Sequence, residues 1–138
     1  MNHPHFIRRS AGTILVVDDN ADCRAGLDLL LRREGYRVIQ AEDAEQALSH
    51  LQGGALPDLV LLDMLLPGMD GLEFLERLDR AHMSGPVPIV VMTGMALGRE
   101  WAAEHGCAGF IQKPIERFLL MEVVSNCLNR HRHFAHAI

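Results

Sequence analysis

The sequence predicts an α/β fold, a doubly wound, five-stranded parallel sheet with helices on both faces. Three observations predict it. Short apolar, β-branched runs alternate with amphipathic stretches along the chain. The runs are continuously apolar, as suits strands covered on both faces. Helix follows strand each time, which implies parallel strands joined by crossovers.

Residues 13–17, TILVV, form the first strand. Residues 21–34 follow as a helix with Cys23, Leu27, Leu30 and Leu31 on one face, and Gly35 stops it. Residues 36–40, YRVIQ, are the second strand. Asp43 caps the next helix and Gln46 completes a capping box. Ala44, Ala47, Leu48 and Leu51 make its apolar stripe, and Gly53 and Gly54 end it. Residues 58–62, DLVLL, are the third strand and run into Asp63. Pro67-Gly68 marks a turn, and Asp70 with Glu73 caps a third helix whose Leu72, Leu75 and Leu78 are expected to face inward. PVPIVVM, 86–92, is the fourth strand and ends at Thr93. A helix over 97–105 leads to AGFIQ, 108–112, the fifth strand, which ends at Lys113-Pro114. A last helix covers 115–130, with Leu120, Val124, Cys127 and Leu128 inward. The expected organisation is an irregular segment over 1–11, one domain over 12–130 and a frayed tail over 131–138.

Composition narrows the classes. A chain of 138 residues has the usual size of one domain. A net charge of −5 gives no electrostatic reason for nucleic-acid binding. The three cysteines, Cys23, Cys107 and Cys127, are scattered and odd in number, which suits reduced thiols in the cytoplasm. The opening MNHPHFIRRSAG has no apolar run after Arg8 and Arg9 and is not expected to be a signal peptide. No apolar run approaches the ~20 residues of a membrane span. The histidines cluster at the two ends or, as His50, His82 and His105, near helix C-termini, where a cation is favoured. They are read as solvated rather than as metal ligands.

The chemistry lies at the strand ends. In ILVVDDN, 14–20, a buried strand runs straight into Asp18 and Asp19. Adjacent carboxylates raise the cost of ionising each other and call for a cation. Either residue alone is most simply a solvated loop acid or a helix cap. The third strand adds Asp63, the fourth Thr93 and the fifth Lys113, while the second adds only Gln40 and Ala41. In a parallel sheet these ends share one edge, where such folds bind ligands. Three carboxylates suit a hard divalent cation such as Mg2+, which takes one or two of them with waters and phosphate oxygens. A lysine and a threonine complement a phosphoryl group's remaining oxygens. Asp63, alone at its strand end, fits a nucleophile, and Asp18 and Asp19 fit the metal.

This set, with VDDN, LLDMLLPGMDG, VVMTG and GFIQKP around it, resembles the receiver domain of bacterial two-component response regulators over residues 12–130. The resemblance implies a flavodoxin-like sheet of strand order 2-1-3-4-5. It implies that Asp63 accepts a phosphoryl group from a histidine kinase or a histidine phosphotransfer protein. Asp18, Asp19, Asp63 and the Met64 backbone carbonyl would bind Mg2+, and Lys113 would bridge to a phosphate oxygen. Thr93 would report the phosphoryl group and Phe110 would move with it. A cis peptide is implied at Lys113–Pro114. The output would be contact between proteins through the fourth helix, fifth strand and fifth helix, with a downstream protein target or in a phosphorylation-dependent homodimer, and with neither nucleic acid nor membrane. Such a domain is a switch with autocatalysed phosphorylation and slow dephosphorylation rather than an enzyme. With no helix-turn-helix or catalytic segment after residue 130, a stand-alone domain is the expectation.

Each part has a plainer reading. Phe110 on a core strand is often packing. Met95, Leu97 and Trp101 are either a docking surface or a helix packed on the sheet. Three other functions compete with this one. A flavodoxin would cradle a phosphate on its first loop, where Asp18 and Asp19 would repel it. A Mg2+-dependent aspartyl-phosphate phosphohydrolase needs an acid two residues after the nucleophile, and Leu65 stands there. A phosphorylation-independent scaffold would not need the intact acidic set.

Leu65 and Met95, each two positions after a site residue, offer no hydrogen bond to an attacking water. A long-lived phosphorylated form is therefore expected. Leu65→Asn with Met95→Glu should shorten its lifetime about tenfold, read as phosphate loss from purified phosphoprotein. An unchanged rate would remove both residues from control of the water.

Overall fold

A computed structural model describes residues 11–54, 56–64, 71–80, 87–94 and 99–136. In chain order the elements are β1 (Thr13–Val17), α1 (Ala21–Arg33), β2 (Arg37–Ala41), α2 (Ala44–Gln52), β3 (Leu59–Asp63), α3 (Gly71–Arg80), β4 (Ile89–Thr93), α4 (Arg99–Glu104), β5 (Gly109–Gln112) and α5 (Arg117–His136). All strand pairs are parallel, and the order is β2-β1-β3-β4-β5, the order expected above.

The two-residue period of the strands divides the core into two layers. Leu15, Val17, Val60, Leu62, Ile89 and Val91 face α2, α3 and α4, where Ala47, Leu51, Phe74, Leu78 and Ala102 cover them. Ile14, Val16, Leu59, Leu61, Val90, Met92 and Ile111 face α1 and α5, covered by Leu27, Leu31, Leu120, Val124 and Leu128. Every residue of β3 and β4 is buried. Each fully buried aliphatic side chain contributes roughly 1.5–3 kcal/mol, so the sheet centre is the best-anchored part of the chain.

The caps hold the helices to this frame. Asn20 caps α1, its side-chain oxygen accepting the Cys23 N–H at 2.8 Å. At the other end the Gly35 N–H reaches the Arg32 carbonyl and the Tyr36 N–H the Leu31 carbonyl. That pair of bonds is a Schellman stop, and Gly35 takes the positive φ it needs, 94°. Asp43 caps α2, its Oδ1 accepting the Gln46 N–H at 2.8 Å, while the Gln46 Oε1 accepts the N–H of Glu42, one residue before the cap, rather than that of Asp43 as a capping box would have it.

Two expectations change. Leu72 is 37% exposed, not inward. Phe74, Leu75 and Leu78 form the buried stripe of α3, and a residue two before Phe74 lies about 200° round the helix from it. The last helix does not end at 130 but continues to His136, because HRHFAH contains no glycine or proline to stop it. Leu65, the Pro67-Gly68 turn, Asp70, His82, Met95 and Leu97 lie outside the described residues. Among the described residues no helix is long and apolar enough to cross a membrane.

Two glycines make opposite predictions. A Cβ at Gly71 would come 2.6 Å from Met64 Sδ and 2.8 Å from Met64 Cα, and the latter is backbone that cannot swing away. Gly71→Ala should destabilise by about 1–3 kcal/mol. Gly26, within α1, has nothing within 4 Å of such a Cβ. Gly26→Ala should stabilise by about 0.5–1 kcal/mol through helix propensity. Denaturant midpoints read both, and a Gly71→Ala midpoint at or above wild type would contradict the close approach.

Candidate functional site

The C-terminal ends of β1, β3, β4 and β5 meet at one edge of the sheet. β1 is paired on one side to β2 and on the other to β3, so the chain reverses its winding there. Such a switch point leaves a crevice between diverging connections.

Asp18 follows β1 and is fully buried, Asp63 ends β3 with 6% exposure, and Asp19 is exposed. One carboxylate oxygen from each lies within 4.8 Å of the others. Lys113, following β5, places its Nζ 3.1 Å from Asp18 Oδ2 and 3.1 Å from Asp63 Oδ2. One ammonium thus joins the ends of two strands whose residues are far apart in sequence. The other Asp18 oxygen, Oδ1, accepts the Asn20 N–H at 2.9 Å. Thr93 ends β4 and is buried, and its carbonyl accepts the Lys113 N–H at 2.7 Å, which fixes where the lysine leaves the sheet. The Lys113–Pro114 peptide is cis. The Met64 carbonyl accepts the Gly71 N–H at 2.8 Å and has a second lone pair to offer. Phe110 is half-buried against the α2–α4 layer. Trp101 packs on that layer too, with the His105 ring stacked on it at 4.1 Å.

Burial alone would raise the Asp18 carboxyl, but the Asn20 N–H, the Cys23 thiol and the Lys113 ammonium outweigh it and hold the group below the ordinary aspartate value of 3.8. Burial likewise opposes charge on Lys113, and Asp63 and Asp18 reverse that, raising it above 10.5. Burial and the neighbouring Asp18 carboxylate push the Cys23 thiol up to about 11. Cys23 therefore stands at the site as a neutral thiol while also packing on the α1–α5 layer of the core.

Among the described residues the donor set is all hard oxygen, three carboxylates clustered about one ammonium. That arrangement fits a hard divalent cation such as Mg2+. Asn20 and Cys23 join the site without having been singled out from sequence. The Asn cap before an apolar-periodic stretch was readable, whereas nothing local in the sequence marks the thiol.

The receiver domain model of response regulators matches residues 14–125. The chain belongs to this family. The phosphate regulon transcriptional regulatory protein PhoB of Escherichia coli K12 is 37% identical over 106 residues, which is 75% of this chain and 46% of PhoB. A protein-glutamate methylesterase/protein-glutamine glutaminase of Anaeromyxobacter dehalogenans is 44% identical over 108 residues, 75% of this chain and 30% of that protein. The chain spans half or less of the length of these relatives, and their names give different outputs for the same matched segment. Among solved structures, NtrX of Brucella abortus superposes with a TM-score of 0.82 at 31% identity, over 92% of this chain and 29% of NtrX.

The two pKa shifts set a pH dependence. A lowered Asp18 stabilises the fold above 3.8, and that contribution is lost as pH falls through its folded value. A raised Lys113 stabilises it fully below 10.5, and that is lost as pH rises past its folded value. In chelator, Lys113→Met should cost about 2 kcal/mol at pH 7. The gap to wild type should close as pH falls below 3.8. Thermal melts across pH check this, and a gap independent of pH would contradict the paired state.

Proposed function

We propose that this receiver domain takes a phosphoryl group on Asp63 from a phosphohistidine of a histidine kinase or histidine phosphotransfer protein. The observation that supports the reading is the Lys113 bridge. A cation sits 3.1 Å from the acceptor carboxylate, inside an acidic cluster and at a central strand end. A purely structural acid would not need that company.

An Asp63 carboxylate oxygen attacks phosphorus in line with the departing imidazole. A P–O bond forms as the P–N bond breaks, and the imidazole leaves with the electron pair and takes up a proton. Lys113 turns from Asp63 to a phosphoryl oxygen, and the Thr93 hydroxyl donates to another. Asp18, Asp19, Asp63 and the Met64 carbonyl would hold Mg2+. Bound there, the ion supplies positive charge against the incoming phosphoryl oxygens.

The readout is the α4–β5–α5 face. Thr93 moving toward the phosphoryl group opens space into which the half-buried Phe110 turns, and the face then binds a protein target or a second copy. Autocatalysed uptake and slow loss make the module a switch.

Acetyl phosphate with Mg2+ should add one hydroxylamine-sensitive phosphoryl group, read by intact mass. Asp63→Asn should abolish it, and chelator should reduce it about a hundredfold or more, in line with the loss of a required charge. Labelling that survives Asp63→Asn would move the acceptor elsewhere.

A further inference from the structure

β2 gives the site no acidic group, yet it supports the site through a polar chain. Arg24 Nη1 donates to the Asp18 carbonyl at 2.7 Å, and its Nε donates to Gln40 Oε1 at 3.0 Å. Gln40 Nε2 donates to an oxygen of Asp28, and the other oxygen of Asp28 pairs with Arg32. Arg32 Nη2 returns to β2 at the Val38 carbonyl, 3.2 Å away. The Gln40 amide has a donor on one side and an acceptor on the other, so its orientation is fixed.

The Asp18 carbonyl belongs to the peptide that joins Asp18 to Asp19. That unit is planar, so holding its oxygen fixes the direction in which Asp19 leaves the chain. Asp18 has its own anchors. Its N–H donates to the Ala41 carbonyl at 3.1 Å, and its two carboxylate oxygens are held by Asn20 and Lys113. Asp19 is exposed, and it is placed through the peptide that Arg24 holds. A guanidinium suits the task because its rigid fork serves two acceptors in one plane.

We infer that Arg24, aligned by Gln40, is a positioning residue of the cation site, setting where Asp19 stands and hence how tightly Mg2+ binds. This rests on the Mg2+ reading above. The sign of the effect separates it from simple charge. Arg24 is positive, so its removal acting through charge alone would tighten binding of a cation. Lost positioning would weaken it. Gln40→Met alters no charge and lies on the surface, so it removes the alignment of Arg24, together with the bond to Asp28, without a change of charge at the site.

The test is calorimetric titration of the whole chain with Mg2+ alone, without phosphodonor, alongside thermal melts in chelator. Arg24→Met and Gln40→Met should each weaken Mg2+ binding about tenfold, as loss of outer supports does at other metal sites. Arg24→Lys should fall between them and wild type. The double variant should match Arg24→Met, because Gln40 acts through it. Should Arg24→Met fail to fold, Gln40→Met and Arg24→Lys carry the measurement. A folded Gln40→Met that binds Mg2+ within about twofold of wild type overturns the inference, as does tighter binding by Arg24→Met. A wild type that takes up no Mg2+ overturns the cation reading as well, and the two failures are thereby distinguished.

Discussion

The structure depends on one buried electrostatic constraint. Two carboxylates at neighbouring strand ends, Asp18 and Asp63, are held out of water and joined by a single ammonium from a third strand. Bringing charges out of water is costly unless they are paired with good geometry. The sheet supplies the geometry. β1 and β3 are adjacent and parallel, with Val17 opposite Leu62, so Asp18 and Asp63 emerge beside each other. Lys113 reaches both because the β5 end is tied to β4 through the Thr93 carbonyl. The apolar layers above and below the sheet hold this edge in register.

Among the described residues the same constraint leaves three clustered carboxylates with one ammonium between them. Lys113 engages one oxygen of Asp18 and one of Asp63, while Asp19 stands exposed beside them. A hard cation and a phosphoryl group are complementary demands on such a place. On the function proposed above, the cation would offset the carboxylates, and the anionic group would give the lysine a new partner. That exchange of partners is a local electrostatic event, and a two-state element elsewhere is needed to turn it into a signal. Phe110 and Thr93 stand on adjacent strands next to α4, which is where such an element would lie.

Much of this was legible in the sequence. The strand runs TILVV and DLVLL could not be amphipathic, so a sheet covered on both faces followed. A parallel sheet then put Asp18, Asp19, Asp63, Thr93 and Lys113 on one edge. What stayed hidden is three-dimensional in origin. Gln40 reads as an unremarkable polar residue until β2 lies beside α1, and Arg24 as a solvated helix residue until its guanidinium reaches back to Asp18. Cys23 reads as core from its helical spacing, yet the first turn of α1 begins at the site, so a residue on the inward stripe there meets Asp18. Leu72 was misplaced because three leucines at three-residue spacing mimic a stripe, while the bulky Phe74 decides which way α3 faces.

The contact between Gly71 and Met64 has a consequence for how freely the intervening segment can vary. The Gly71 N–H lies 2.8 Å from the Met64 carbonyl, so Met64 and Gly71 are pinned together next to Asp63. The entropy of closing a loop grows only with the logarithm of its length, and doubling that length costs about 0.6 kcal/mol. With both ends clamped by one backbone bond, insertions or wholesale replacement between them leave the registration of β3 untouched. The clamp between Met64 and Gly71 thus uncouples the placement of Asp63 from the length and composition of the sequence between them.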